Sequence, residues 1–167
     1  TGYNSTISTA TGSPIAGRQA FSGNSGGYVE TRADLASFSG QSVYIRFRMA
    51  TDISVASAGW YIDDVLLLES ESPSDITFDL AYTDNCTVDT VFSDDMESGG
   101  GLWAVSHGAG SLDWTLGTAN PRSGSSAWFA SDPSTISDQY LSSASLITVP
   151  ASGQLRFWHN YQTEANF

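Results

Sequence analysis

Apolar and polar side chains alternate along two segments of this chain. Residues 42–50 read SVYIRFRMA and residues 154–164 read QLRFWHNYQTE. Successive side chains of a strand point to opposite faces, so a period of two predicts two half-buried strands. The side chains predicted to face the core are Val43, Ile45, Phe47 and Met49 in the first segment and Leu155, Phe157, His159 and Tyr161 in the second.

A third segment has apolar residues on both faces. Residues 59–69 read GWYIDDVLLLE, which predicts a central strand covered by other layers. Residues 125–131 and 146–151 predict further strands, and clusters of Gly, Ser, Asn and Pro separate all of them. No segment keeps helical i, i+3, i+4 apolar spacing over three turns. We therefore predict an all-β protein, a jelly-roll-type β-sandwich.

The charge balance excludes several classes of partner. The chain of 167 residues carries 18 Asp and Glu against six basic residues, for a net charge of -12. All six basic residues are Arg, so we expect no nucleic-acid partner, because phosphate binding needs clustered basic side chains. No run of 18 apolar residues occurs, and we predict no membrane insertion. Solubility and cation binding both remain open as reasons for the acidity.

Cysteine and asparagine usage point to the extracellular space. Cys86 is alone, which excludes an intrachain disulfide and a cysteine zinc site. Asn4 and Asn85 each begin an N-x-Ser/Thr sequon, and both are predicted glycosylation sites. Together with the absence of Lys and an abundance of Ser and Thr, the sequons favour a secreted or cell-surface protein.

Several motifs resemble one known module. FSDDMESGGGLW (92–103), SGSSAWF (123–129) and the segment 137–164 resemble the first half of a MAM-like jelly roll. The related modules are the immune-inhibitor-A-type or choice-of-anchor modules of secreted bacterial proteins. Residues 26–69, which end in GWYIDDVLLLE, resemble the second half of the same module. The two halves thus stand in permuted order along this chain.

The resemblance implies a division of the chain into three parts. Residues 1–68 form the closing half of a module, 69–91 a linker, and 92–167 the opening half of the next. The segment 75–82 within the linker alternates and predicts a strand. The halves can close on each other within one chain as a permuted unit, or head to tail between chains as a filament or tandem array. We favour the second arrangement, because a strand in the linker would hold two sandwiches apart.

The resemblance also implies a cation. In MAM-like modules, acidic residues near the two ends of the domain are associated with a cation, and calcium prefers such oxygen ligands. By motif, the candidate ligands are Asp63 and Asp64 in the closing strand and Asp95 and Glu97 in the opening one. Asp95 and Glu97 share a predicted strand face, whereas Asp63 and Asp64 would face opposite sides unless a bulge intervenes. The alternative is that these carboxylates cap turns by accepting backbone N–H groups.

Enzymatic chemistry has little support in the sequence. His107 lies in a glycine-rich loop and His159 in a strand, with no nucleophile elbow and no metalloprotease motif. A sugar-stacking platform is a further possibility, although core packing is the favoured role of the tryptophans. The tryptophans concerned are Trp60, Trp103, Trp114, Trp128 and Trp158.

We therefore predict a non-catalytic extracellular structural or adhesive β-sandwich repeat. Its expected partners are copies of itself or adjacent repeats, with glycans as a further candidate. The alternative is an accessory glycan- or protein-binding domain of a secreted peptidase.

Overall fold

The computed structural model describes residues 2–69 and 89–165 and contains 13 β-strands and two short 3-10 turns. The turns span Ala36–Phe38 and Gly100–Leu102. The strands are β1 (Ser5–Thr6), β2 (Gln19–Ala20), β3 (Val29–Asp34), β4 (Ser42–Val43), β5 (Arg46–Thr51), β6 (Ser57–Glu69), β7 (Asp89–Asp94), β8 (Trp103–Ala109), β9 (Thr115–Gly117), β10 (Ala127–Asp132), β11 (Ser137–Ser143), β12 (Ile147–Thr148) and β13 (Gly153–Gln162).

The larger sheet is built around two long strands. Its order is β3-β13-β6-β10-β9, and β7 pairs with β6 beyond the end of β10. All of these pairings are antiparallel. The strand β6 is therefore flanked on both sides along most of its length, as the doubly apolar pattern of residues 59–69 predicts.

A smaller sheet of order β5-β11-β8 covers one face of the larger sheet. The buried cluster between them combines Phe47 and Leu141 from the smaller sheet with Ile62 and Phe157 from the larger. The rings of Phe47 and Phe157 meet edge to face at 5.0 Å between centroids. The chain is thus an all-β sandwich, and the predicted fold class is confirmed.

The alternating segments also keep their predicted faces. Ile45, Phe47 and Met49 are buried, and so are all four predicted inward positions of β13. Val43 is half-buried, and the intervening Tyr44 is exposed. The segment 146–151 forms only the two-residue strand β12.

The two predicted halves share their sheets within one chain. The late strand β13 lies between the early strands β3 and β6, and the early strand β5 pairs with the late strand β11. Within the single chain described, this pairing corresponds to the permuted single unit; closure between chains stays a prediction. The physical reason for the intrachain pairing is the position of the linker ends, because Glu69 and Asp89 are directly paired across β6 and β7. No distance between two sandwiches has to be spanned.

The predicted linker 69–91 overlaps both of these strands. Glu69 ends β6 and Asp89 begins β7, so strand structure occupies each end of the span. The predicted strand 75–82 lies outside the described residues. Among the residues that are described, no helix has the length and apolar character needed to cross a membrane.

Candidate functional site

A cleft of about 680 Å³ opens between the two sheets. One wall carries β3, and the other carries β5. Among the described strands, β3 pairs only with β13 and β5 only with β11. Each therefore has one edge that no other described strand pairs with, and free backbone N–H and C=O groups on such edges can pair with an added strand.

The rim of the cleft is apolar and basic. Its exposed large apolar side chains are Tyr3, Phe38, Tyr44 and Val55, with between 44% and 59% of their surface accessible. Four of the six arginines in the chain also line it, namely Arg18, Arg32, Arg46 and Arg48. In a chain of net charge -12, the cleft thus holds two-thirds of all basic residues, although Asp52, Asp132 and Glu164 line it as well.

The four arginines differ in their partners. Arg48 forms a bidentate pair with Asp138, at 2.7 and 2.8 Å. Burial opposes ionisation of Asp138, but hydrogen bonds from Arg48 and Tyr140 outweigh burial and lower the pKa of its carboxyl. Arg32 pairs with Glu30 at 2.9 Å. Across the two described ranges, Arg18 and Arg46 form no ion pair, although the Arg46 guanidinium donates to the Ser142 hydroxyl at 2.9 Å and lies over the Tyr140 ring.

A buried histidine stands behind the cleft wall. His159 is fully buried and accepts a hydrogen bond at Nδ1 from the Trp60 indole at 3.1 Å. Its Nε2 must then carry the proton and donate it to the Thr31 hydroxyl, 2.9 Å away. Burial lowers the pKa of His159 to about 4, so the ring is neutral at physiological pH. His159 is a packing residue that orients Trp60.

The predicted ligands Asp63 and Asp64 both contact the loop 120–126. Asp63 is fully buried and accepts the backbone N–H of Arg122 at 2.8 Å and of Ser123 at 3.3 Å. Burial raises the pKa of the Asp63 carboxyl, and those backbone donors offset only part of that effect. Asp64 binds the Arg122 guanidinium at 2.6 Å and the Ser123 hydroxyl at 3.0 Å.

A bulge explains how neighbouring residues of one strand reach the same loop. The register of β6 against β13 shifts between Arg156 and Trp158, opposite Asp63 and Asp64. Asp64 has a φ of 48°, in the left-handed region that Asp tolerates better than most residues. Asp63 and Asp64 were predicted to face opposite sides of the strand unless a bulge intervenes. The bulge is present, and both side chains therefore reach the same loop.

The other two predicted ligands lie in a turn and not on a shared strand face. The strand β7 ends at Asp94, and Met96 has a φ of 66°. Glu97 reaches the same loop and accepts N–H groups of Ser125 and Ser126 at 2.9 and 2.8 Å. Hydrogen bonding from Ser125 lowers the pKa of Glu97. Asp95 instead accepts the N–H of Glu97 at 3.2 Å.

Donors of the protein itself already contact three of the four predicted ligands, Asp63, Asp64 and Glu97. Arg122 already supplies the positive charge at Asp64, and Glu97 is occupied by the loop backbone. In residues 2–69 and 89–165, no three His, Cys, Asp or Glu side chains form a group that could hold a metal ion. Calcium at these four residues stays a prediction, and the contacts that are present are those of carboxylates that fix a loop.

Asp94 is a further acidic residue with a structural role, which is not among the predicted ligands. It is buried, and it accepts the Trp103 indole N–H at 2.6 Å and the Met96 N–H at 3.0 Å. A signal is present in the motif FSDDMES, where the first Asp of the pair ends a strand just before a turn. Asp94 thus holds the turn that carries Asp95 and Glu97.

The predicted glycosylation site Asn4 lies on an exposed segment. Its amide nitrogen donates to the Ser22 carbonyl at 3.0 Å and to the Tyr161 hydroxyl at 3.4 Å. A sugar on that nitrogen would replace one of these two protons. Asn85 lies outside the described residues. Glycosylation of either residue stays a prediction, which the intact mass of the native protein tests.

The tryptophans do not form an exposed stacking platform. Trp103, Trp114 and Trp128 are buried in the core. Trp60 and Trp158 are half-buried, and the Arg122 guanidinium covers the Trp158 ring at 4.1 Å from its centroid. Three of the five tryptophans therefore have the favoured core role, and Arg122 covers the ring of a fourth, Trp158.

The remaining histidine forms a surface pair. His107 Nδ1 lies 3.0 Å from the Asp113 carboxylate, and both side chains are more than one-third exposed. No hydrogen bond from a hydroxyl to His107 occurs among the described contacts. A histidine held by a carboxylate needs a nucleophile on its other nitrogen to resemble a hydrolase triad.

Part of the chain is similar to one bacterial protein. Over 52 residues, which are 31% of this chain, it is 33% identical to Bacillopeptidase F of Bacillus subtilis (strain 168). The chain covers 4% of the length of that protein. No family model matches the chain, and no solved structure matches it. The similarity therefore connects this β-sandwich with a small part of a protein named as a peptidase, and it does not show a family.

Proposed function

We propose that this chain is a non-catalytic extracellular β-sandwich module of MAM-like type whose cleft takes an extended segment of a second copy. The observation that carries the proposal is the pair of unpaired edges, β3 and β5, on either side of one cleft. An extended segment placed between them can pair its backbone and bury its apolar side chains. Binding of one copy to another in this way is a structural or adhesive function.

Charge complementarity supports a copy of the same chain as the occupant. The rim carries Arg18 and Arg46 without ion-pair partners in the described chain, and the molecule as a whole has a net charge of -12. An acidic segment of one copy is therefore attracted to the basic rim of another. Because the contact would be head to tail, repeated copies would extend as a filament or tandem array unless the rotation closes.

The test is the mass of the chain in solution as a function of concentration and salt. We expect association in low salt that weakens at 0.5 M salt, since exposed charges are screened over a few ångströms at such ionic strength. Arg18→Gln should weaken the association. Thr90→Glu changes the net charge by the same amount on the exposed strand β7 and should have little effect.

A chain that stays monomeric at all concentrations contradicts the self-association. Equal effects of Arg18→Gln and Thr90→Glu would attribute the association to net charge and not to the cleft.

The similarity to Bacillopeptidase F favours a second candidate, an accessory domain of a peptidase. In that case the cleft would hold an extended polypeptide substrate, and the chain itself would stay monomeric. Fluorescence anisotropy with an unfolded acidic polypeptide tests this alternative. We expect binding that Arg18→Gln weakens and Thr90→Glu does not; absence of binding by the monomer counts against the accessory role.

A further inference from the structure

Three carboxylates meet at one end of the cleft, away from the loop 120–126. Asp52 follows β5, Asp132 ends β10 and Glu164 follows β13. The Ser54 hydroxyl lies 2.5 Å from Asp52 Oδ1 and 2.5 Å from Glu164 Oε2. Glu164 also lies near enough to Asp132 for its backbone N–H and its charge to affect the pKa of the Asp132 carboxyl. These contacts place the three acidic groups around one small space.

The hydroxyl of Ser54 has too few protons for its two short contacts. A serine hydroxyl donates a single hydrogen bond, and an ionised carboxylate only accepts. If both carboxylates are ionised, one of the two contacts to Asp52 and Glu164 is therefore a hydrogen bond. The other is a repulsive contact between two oxygens with no proton between them. The space lacks positive charge, either as a proton or as a cation.

Buried oxygens without partners surround the same space. Asp52 Oδ2 and Asp132 Oδ2 accept no hydrogen bond, and each residue is only 6% exposed. The Thr11 hydroxyl is close enough to Asp52 to affect its pKa, yet it too is buried without an aligned partner. Buried carboxylate oxygens are normally hydrogen-bonded, paired with a basic side chain, or bound to a metal.

No basic side chain supplies the missing charge. The ion pairs in the described ranges involve Glu30, Asp64, Asp113 and Asp138, and none of the three carboxylates at this end of the cleft. Burial, together with repulsion from Glu164 and Asp52, raises the pKa of Asp132 to about 6. The charges of Asp52 and Glu164 thus repel the charge of Asp132 across the space.

We propose that Asp52, Asp132 and Glu164 bind a divalent cation of the calcium type at this end of the cleft, with the Thr11 and Ser54 hydroxyls beside it. All of the available donors are oxygens, which hard cations prefer. Calcium accepts six to eight such ligands in flexible geometry, whereas magnesium demands a near-ideal octahedron. This place is separate from the four carboxylates implied by the resemblance, three of which contact the loop 120–126.

Binding requires a movement of one side chain. As the side chains stand, no three acidic residues of the described chain form a group ready to hold an ion. The Glu164 carboxylate contacts Ser54 and the Val55 N–H, and must turn toward Asp52 and Asp132 to complete the site. The ion would then join the ends of β5, β10 and β13 beside the cleft.

Calcium chloride added to the chelator-treated chain tests the proposal by calorimetry and by melting temperature. We expect a dissociation constant below about 1 mM, the range of extracellular calcium modules, and a higher melting temperature with calcium. Asp132→Asn should weaken the affinity by about tenfold or more, because affinity follows the number of charged ligands. Asp89→Asn removes the same charge from an exposed position and should leave the affinity unchanged.

Two controls keep the outcome unambiguous. In chelator, Asp132→Asn should melt no lower than the unmodified chain, since it removes a buried charge; this shows that the variant folds. Glu97→Gln should keep the full response to calcium. No binding of calcium at 10 mM, or a response that Glu97→Gln abolishes and Asp132→Asn leaves intact, overturns the proposal.

Discussion

At the scale of single residues, the buried polar groups differ in whether they have hydrogen-bond partners. Asp63 is surrounded by backbone donors, Asp94 by an indole and a backbone N–H, and His159 by an indole and a hydroxyl. Asp52 and Asp132 each keep a buried oxygen without a partner. A satisfied group contributes little net free energy, but an unsatisfied one costs about 1–3 kcal/mol. Partnerless oxygens therefore require a functional explanation more than satisfied ones do.

His159 should make the free energy of unfolding fall as the pH falls. Burial places its pKa at about 4 in the folded chain, against 6.5 for the free side chain. Its stabilising effect is therefore complete above pH 6.5 and is lost as the pH falls toward 4, because the unfolded chain binds the proton first. Between pH 7.5 and pH 5 we expect a loss of about 2 kcal/mol from this residue.

Urea unfolding at several pH values measures this contribution. His159→Gln can still accept from Trp60 and donate to Thr31, and it should flatten the pH dependence by that amount. His107→Gln removes an exposed histidine and should leave the His159 contribution in place. The ring neighbours Phe21 and Phe157 are uncharged, and Tyr161 stays neutral in this range because burial raises its pKa. An unchanged slope in His159→Gln contradicts the assignment.

At the scale of elements, the two long strands β6 and β13 hold the larger sheet together. The strand β6 pairs with β7, β10 and β13, and β13 pairs with β3 and β6. The strands β1, β2, β4 and β12 have only two residues each. Strands with neighbours on both sides open only when the sheet as a whole opens, whereas short edge strands open locally.

Hydrogen exchange should therefore rank the strands. We expect the slowest amide exchange in β6 and β13 and the fastest in β1, β2 and β9. Mass spectrometry of peptides from the exchanged chain measures the order. If peptides from β13 exchange as fast as those from β9, then β13 does not lie between β3 and β6 as the strand order states.

The elements also show what a single sequence can predict. Alternation places Phe47, Met49, Leu155 and Phe157 on the correct faces, because burial of a strand face depends on local periodicity. The bulge that turns Asp63 and Asp64 to one loop depends on a partner strand far along the chain. The partnerless oxygens of Asp52 and Asp132 likewise depend on three chain segments meeting in space. Local patterns carry no information about such meetings, so the acidic cluster was not predicted.

At the scale of the whole molecule, strand pairing joins the two halves of the described chain. The sheet order interleaves strands from before and after the residues 70–88. Separating the halves would break the pairing of β6 with β7, β10 and β13, and that of β5 with β11. Neither half can bury its apolar face without the other.

A cut between the halves should therefore leave them associated. We propose inserting a specific protease site within residues 70–88 and cleaving the folded chain. The two fragments should co-elute in native buffer and separate in denaturant, since the interleaved sheets hold them together. The same chain before cleavage is the control. Fragments that separate in native buffer contradict the intrachain pairing.

The place of β13 in the larger sheet has a consequence for how the chain reaches its native state. Val29 pairs with His159, so β3 gains its neighbour only after β13 has been made, and β6 lacks its partner on the same side until then. Sheets dominated by such distant pairings fold slowly, because long loops must close before contacts form. During synthesis β3 therefore stays unpaired, and β6 stays open on one side, until β13 has been made. A chain that stays open this long remains suited to export in an unfolded form, and it is exposed to aggregation until its last strand is in place.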